Sequence, residues 1–81
     1  MKLILDSKKR NIVGSRVKIA RLKNNMTQQE LSAKLKTLAV YIDRASISKL
    51  EQHKRIITDI ELVALSQVLN VDINWLLGLD K

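Results

Sequence analysis

Two stretches of sequence decide the fold of this chain: MTQQEL at Met26–Leu31 and SISKLE at Ser46–Glu51. In the first, Thr27 can accept a hydrogen bond at the start of a helix while Glu30 reaches back to the same start, which is the pattern of a capping box. Asp43 precedes the second stretch and can cap a helix there. We therefore predict two short consecutive helices, the second of which carries small, cationic and hydrogen-bonding side chains.

The composition confines the chain to one small helical domain. Its 81 residues are 46% hydrophobic but only 2% aromatic, so the core is expected to be aliphatic. Proline is absent and glycine occurs twice, which disfavours the turn-rich sequences of β-barrels and sandwiches. With no cysteine and a single histidine, the chain has neither disulfides nor a cysteine- or histidine-rich metal site, and we expect no cofactor.

The net charge of +7 is unevenly distributed. Residues 1–36 carry ten Lys or Arg against Asp6 and Glu30, whereas residues 56–81 carry one lysine against four acidic residues. This balance predicts a polyanionic partner, which DNA, RNA or an anionic membrane surface would each satisfy. The opening segment Met1–Asp6 is too short for a signal peptide or a membrane span, so a cytoplasmic protein with no membrane association is expected.

Helical periodicity predicts five helices within residues 12–78, preceded by an arm over residues 1–11. The arm combines Leu3–Leu5 with a cationic run and is interpreted as a flexible tail, an arm or an extra strand. The last helix is expected to stop at Gly78. The predicted helices begin near Val13, Thr27, Asp43, Thr58 and Asp72. Thr58 and Glu61 form a second predicted capping box, and Asp72 is expected to cap the fifth helix.

The connection between the second and third helices is ambiguous. The apolar run 37–42 can extend the second helix with Leu38 on its buried stripe, form a loop, or in isolation resemble a strand. We favour a helix followed by a loop, because a lone strand would have no partner. Tyr41 is expected at the edge of the core.

The order of these motifs resembles the Cro/repressor type of helix-turn-helix proteins, which includes lambdoid phage repressors and many bacterial regulators. The resemblance implies an all-α, lambda-repressor-like bundle of five helices. It also implies a transcriptional regulator, a repressor acting as a homodimer, that recognises a palindromic operator in double-stranded DNA and is not an enzyme. The segments that carry it are Gly14–Arg21, Met26–Leu31, Ser46–Glu51 and Val71–Leu77.

Two departures from the family pattern bear on the DNA-reading surface. The connection from Leu35 to Ile47 is several residues longer than the family's tight turn, which leaves the angle between the two helices open. Gln52 and His53 stand where the family commonly has Asn-Gly. We therefore expect a left-handed backbone at His53, at a cost of roughly 1 kcal/mol.

The resemblance assigns base reading to Arg44, Ala45 and Lys49. Arginine and lysine can donate to the O6 and N7 atoms of guanine, and an alanine methyl can pack on the methyl group of thymine. The alternative interpretation of these positions is an ordinary solvated helix face.

Phosphate contacts are expected around the same helices. Gln28 stands at the start of the second helix, where backbone N–H groups and a side-chain amide can bind a phosphate. Arg21 and Glu51 match positions that form a buried ion pair in the family, and we assign them a structural role. The remaining phosphate-binding candidates are Arg16, Ser46, Gln52, Lys54 and Arg55.

Three other functions remain as alternatives. Leu3–Leu5 and the run 37–42 are apolar segments of the kind found at interfaces, which suggests an antitoxin or adaptor whose main partner is another protein. RNA binding is disfavoured because few aromatic side chains can stack on unpaired bases. An enzyme is disfavoured because Ser46, Ser48, Asp43 and His53 form no recognisable catalytic arrangement.

Residues Trp75–Leu77 either close the core or form a dimer surface.

Overall fold

Five α-helices make up the regular structure of the protein in a computed structural model, which describes residues 8–79. The predicted all-α architecture with five helices is confirmed. The Leu3–Leu5 part of the predicted arm lies outside the described residues. Within residues 8–79 no helix is long and apolar enough to span a membrane. The helices are α1 (Gly14–Lys23), α2 (Gln28–Lys36), α3 (Arg44–Glu51), α4 (Asp59–Leu69) and α5 (Ile73–Leu76).

An aliphatic core holds the helices together. Helix α3 packs on α1 and α2, while α4 packs on α1, α2 and α5. Helical spacing places one or two large apolar side chains of each helix inward, and Leu76 of α5 is fully buried. Trp75 is only partly buried and packs against this core from outside. The other large side chains with essentially no exposure are Val13, Val17, Leu31, Leu35, Ile47, Leu50, Leu65 and Leu69.

Side-chain caps begin three of the helices, as the sequence predicts. Thr27 and Thr58 each form a complete capping box with the glutamate three residues later. Asp43 accepts a hydrogen bond from the backbone N–H of Ser46 at 2.8 Å and so caps α3. The cap predicted for α5 is wrong, because Asp72 precedes that helix but its side chain makes no capping hydrogen bond.

All five helices end in the same left-handed turn. A residue with a positive φ lies at the helix cap or within two positions after it, and two backbone hydrogen bonds close the turn as in a Schellman motif. His53 has φ 62°, which confirms the conformation expected from its position. The other four residues with positive φ are Asn25, Ala39, Asn70 and Gly78.

The turn that contains Ala39 ends α2 at Lys36, so Leu38 does not lie on the buried face of the helix. The N–H of Ala39 donates to the carbonyl of Lys36, and the N–H of Val40 donates to that of Leu35. Leu38 is 43% exposed, so its predicted place on the buried face of the helix is wrong. The helix-then-loop interpretation of residues 37–42 is confirmed.

Close contact between α1 and α3 depends on Gly14 and Asn11. A Cβ atom at Gly14 would clash with the carbonyl oxygen of Leu50, so only glycine allows α1 to begin this close to the end of α3. The predicted arm includes Asn11, yet Asn11 is 6% exposed and accepts a hydrogen bond from the N–H of Gly14 at 2.8 Å. The folded domain therefore includes Asn11 and begins before residue 12.

Candidate nucleic-acid interface

Helix α3 has one buried and one exposed face. Ile47, Leu50 and Glu51 are buried against α1 and α2. The three predicted base-reading residues, Arg44, Ala45 and Lys49, are all exposed. Because Ala45 and Lys49 are four positions apart, they lie one above the other on the same face, and Arg44 adjoins them. The structure thus brings these three side chains together on the surface.

The cap at the start of α3 carries a stable negative charge. The backbone N–H of Ser46 is the main reason that the pKa of the Asp43 carboxyl lies below its ordinary value, and the positive charges of Arg55 and Lys49 lower it further. Asp43 therefore stays ionised at neutral pH and fixes the first turn of the helix. The side chain of Ser46, a predicted phosphate contact, lies in the same turn and is partly exposed.

A buried ion pair fixes the position of α3 against α1. The Nε atom of Arg21 lies 2.7 Å from Oε2 of Glu51, and the two side chains are 8% and 3% exposed. A second guanidinium nitrogen donates to Oε1 of Glu51 at 3.1 Å, and the third donates to the carbonyl oxygen of Met26 at 2.8 Å. This paired geometry leaves neither charge unsatisfied, which is the condition for burying an ion pair.

The same carboxylate also joins α2 to α3. Nε2 of Gln28 donates to Oε1 of Glu51 at 3.0 Å, so one carboxylate has partners on α1 and α2. Gln28 is the first residue of α2, and its side chain is partly exposed. The structure therefore places this predicted phosphate contact beside α3 and gives it a positioning contact as well.

Of the three predicted phosphate contacts that follow α3, two are exposed to solvent and the third forms an ion pair within the protein. Gln52 and Lys54 are exposed, and Nε2 of Gln52 donates to the hydroxyl of Ser48 at 3.0 Å. Arg55 instead makes two hydrogen bonds of 2.9 Å to the Glu61 carboxylate. Those bonds are the main cause of a lowered pKa at Glu61 and a raised pKa at Arg55.

The side chain of Arg16 contacts α5. One guanidinium nitrogen donates to the carbonyl oxygen of Trp75 at 2.8 Å, and the guanidinium carbon is 5.0 Å from the centre of the Trp75 ring. The residue thus links α1 to α5.

A cleft beside the start of α3 was missed by sequence reasoning. It lies between α2 and the start of α3 and has a volume of about 730 Å³. Tyr41 lines it and is 73% exposed, so its predicted place at the core edge is wrong. The available signal was the alternation of Val40, Tyr41 and Ile42, which is typical of an extended segment with one side buried. Val40 and Ile42 are indeed buried.

Comparison with known proteins identifies the family of this chain. A helix-turn-helix family model matches residues 17–76. The chain belongs to the Cro/repressor-type helix-turn-helix family. Membership makes it a DNA-binding regulator of transcription and not an enzyme. The described part of the chain contains no group of three or more His, Asp or Glu side chains that could hold a metal ion.

Two solved structures are similar to this family member. The P22 c2 repressor, crystallised with a synthetic operator, has a TM-score of 0.71 and 26% identity over 86% of this chain and 98% of its own. A hypothetical transcription factor from Neisseria has a TM-score of 0.70 and 19% identity over 95% of this chain and 84% of its own, which supports the fold alone. Among curated protein sequences, none is significantly similar to this chain.

Proposed function

We propose that the protein is a sequence-specific repressor that reads the major groove of duplex DNA with α3. The observation that carries this proposal is the exposed face formed by Arg44, Ala45 and Lys49 on a helix whose opposite face is fixed by a buried ion pair. An α-helix with its side chains is about 10–12 Å in diameter, which a major groove about 12 Å wide admits. The similar P22 c2 repressor in its operator complex supports the same assignment.

In this proposal some side chains contact the bases and others contact the phosphates. Arg44 and Lys49 donate to acceptors on guanine, and the methyl of Ala45 contacts thymine. Gln28, Ser46, Gln52 and the cations after α3 hold the phosphates on either side and set the register of α3 in the groove. Arg55 contributes less direct charge than its sequence position suggests, because Glu61 already neutralises it.

In this proposal two copies of the protein bind the operator together and repress transcription by occupying it. A homodimer presents its two α3 helices to successive major grooves about 34 Å apart, so the operator is expected to be palindromic. Exposed apolar side chains on α1 and after α5 offer surface for self-association, since Ile19 is 45% and Leu79 54% exposed. Sedimentation of the protein alone and with duplex DNA tests this: a stoichiometry of one chain per selected site would contradict the dimer.

Selection from a random pool of duplex DNA tests the proposed function as a whole. We expect enrichment of a two-fold-symmetric sequence, and a lower affinity for scrambled duplexes at the same salt concentration. The matched control is the Arg44→Ala/Lys49→Ala double variant, which should enrich nothing. If the wild type enriches no sequence and its affinity only falls with rising salt, binding is nonspecific and the proposal fails.

The second candidate function is binding to another protein, as an adaptor or antitoxin. The specific observation in its favour is apolar surface on and before α4, where Ile56 is 62% and Ile60 70% exposed. The selection experiment separates the two functions. If the wild type and the Ile60→Ser variant enrich the same operator, DNA binding is the function of the protein, even if it also binds another protein.

A further inference from the structure

The long connection between α2 and α3 is an ordered part of the surface. Val40 and Ile42 anchor it in the core at 8% and 2% exposure, and the hydroxyl of Ser32 donates to the carbonyl oxygen of Ile42 at 2.7 Å. Tyr41 stands between the two anchors and points outward, with 73% of its surface exposed. A large side chain held outward by a fixed backbone is suited to contact a partner.

The cleft beneath Tyr41 has the charge and shape of an anion site. It lies between the side of α2 that carries Gln29 and Lys36 and the start of α3 at Arg44. Among residues 8–79, neither Lys36 nor Arg44 takes part in an ion pair, so both positive charges are available to a ligand. The Asp43 carboxylate also lines the cleft, but it accepts the N–H of Ser46 at 2.8 Å.

We propose that this cleft holds a backbone phosphodiester of the bound DNA, with Lys36 supplying the charge and the Tyr41 hydroxyl donating a hydrogen bond. This inference rests on the proposed function, because the cleft shares Arg44 and Ala45 with the base-reading face and therefore opens beside it. A phosphodiester carries one negative charge and oxygens that accept hydrogen bonds from lysine and tyrosine.

The phosphate in the cleft is different from the one assigned to Gln28. Lys36 stands eight residues after Gln28 on the same helix, a distance of about 12 Å along the helix axis. Charges on one DNA strand repeat about every 3.4 Å of the duplex axis, so the two residues reach different phosphates. In this proposal the long connection enlarges the contact with the DNA backbone.

Salt-titrated binding of the full chain to a mixed-sequence 30-base-pair duplex tests the proposal. Lys36→Gln removes a charge inside the cleft, and Lys34→Gln removes the same charge from the side of α2 that faces α4. We expect Lys36→Gln to reduce the slope of log K against log salt by about 0.9 and to weaken binding several-fold, and Lys34→Gln to leave the slope unchanged. Equal effects of the two variants would overturn the proposal, since only general charge would then matter.

Tyr41→Phe isolates the hydroxyl, and ethylation interference locates the phosphate. We expect a two- to five-fold loss of affinity of roughly equal size on all sequences, with an unchanged thermal melt because Tyr41 lies outside the core. We expect one phosphate whose ethylation weakens DNA binding by the wild type but not by the Lys36→Gln/Tyr41→Phe variant. If every ethylated phosphate affects both proteins alike, the cleft is empty in the complex. Failure of the wild type to bind any duplex would instead overturn the proposed function.

Discussion

The side-chain amide nitrogen of Asn11 donates a hydrogen bond of 3.0 Å to the carbonyl oxygen of Leu50, 39 positions away. The same nitrogen donates to the carbonyl of Arg55 at 2.8 Å, and the amide oxygen accepts the N–H of Gly14. One buried amide therefore holds the start of α1, the end of α3 and the loop that follows α3. This loop carries the predicted phosphate contacts, so Asn11 positions part of the interface.

Replacing Asn11 with alanine should destabilise the domain by about 2–3 kcal/mol. The carbonyl oxygens of Leu50 and Arg55 and the N–H group of Gly14 would each lose a hydrogen bond, and each such loss is costly. For a domain of this size we expect the melting temperature to fall by roughly 10 °C or more, measured by circular dichroism. Asn74→Ala, at an exposed position on α5, is the control and should change the melt little. Similar melts for both variants would contradict the role assigned to Asn11.

Ala39→Gly should stabilise the protein by about 0.5–1 kcal/mol. Alanine at φ 59° is strained because its Cβ crowds the backbone in the left-handed region, and glycine removes that strain. Ala33→Gly deletes the same methyl group from an exposed position within α2 and should cost about 1 kcal/mol. Urea unfolding of the two variants should give shifts of opposite sign; a loss of stability in both would show that Ala39 is not strained.

Stability should fall in acid because the capping and paired carboxylates have lowered pKa values. The hydrogen bonds from Arg55 are the main cause at Glu61, whose ordinary value is 4.5. A carboxyl group with a lowered pKa in the folded state stabilises the fold above its unfolded pKa, and this stability is lost as the pH falls through the folded pKa. The melting temperature should therefore decline below about pH 4.5.

Glu61→Gln isolates this contribution. The variant should be less stable than the wild type at pH 7, and the difference should shrink as the pH falls below 4.5. Arg55→Gln removes the other partner of the pair and should reduce the pH dependence in the same way. A difference between wild type and Glu61→Gln that stays constant from pH 7 to acid would refute the assignment.

Arg44→Ala and Lys49→Ala should each weaken binding to the selected operator by roughly 1–3 kcal/mol while leaving the melt unchanged. Both side chains are exposed, so their removal leaves no cavity and no buried group without a partner. Fluorescence anisotropy on operator and scrambled duplexes measures the specific part of the loss. Equal losses on both duplexes would mean that these residues bind phosphates instead of bases.

The sequence predicted features whose signals lie within a few residues. Thr27 and Glu30, or Thr58 and Glu61, start helices through contacts three positions apart, and aliphatic periodicity is enough to identify the core. The end of α2 was harder to predict, because Ala39 gives no sign that its backbone will be left-handed. The family model confirmed the resemblance that these local motifs first suggested.

Features that depend on distant partners could not be predicted from local patterns. Arg16 resembled a phosphate ligand on a basic helix, but its carbonyl partner on Trp75 is 59 positions away. Asn11 looked like part of a polar arm, although its main partners are 39 and 44 positions away. In both cases the side chain is held by a backbone oxygen, which no residue type in the sequence reveals.

The route by which the chain enters the domain has a practical consequence. The backbone N–H of Arg10 donates to the carbonyl oxygen of His53 at 3.0 Å, so the chain arrives beside the end of α3. Its last described residues belong instead to the turn after α5, which packs on α1 and α4. A fluorophore attached at position 10 would thus lie at the edge of the proposed DNA surface. A fluorophore attached at position 79 would lie in the turn after α5 instead.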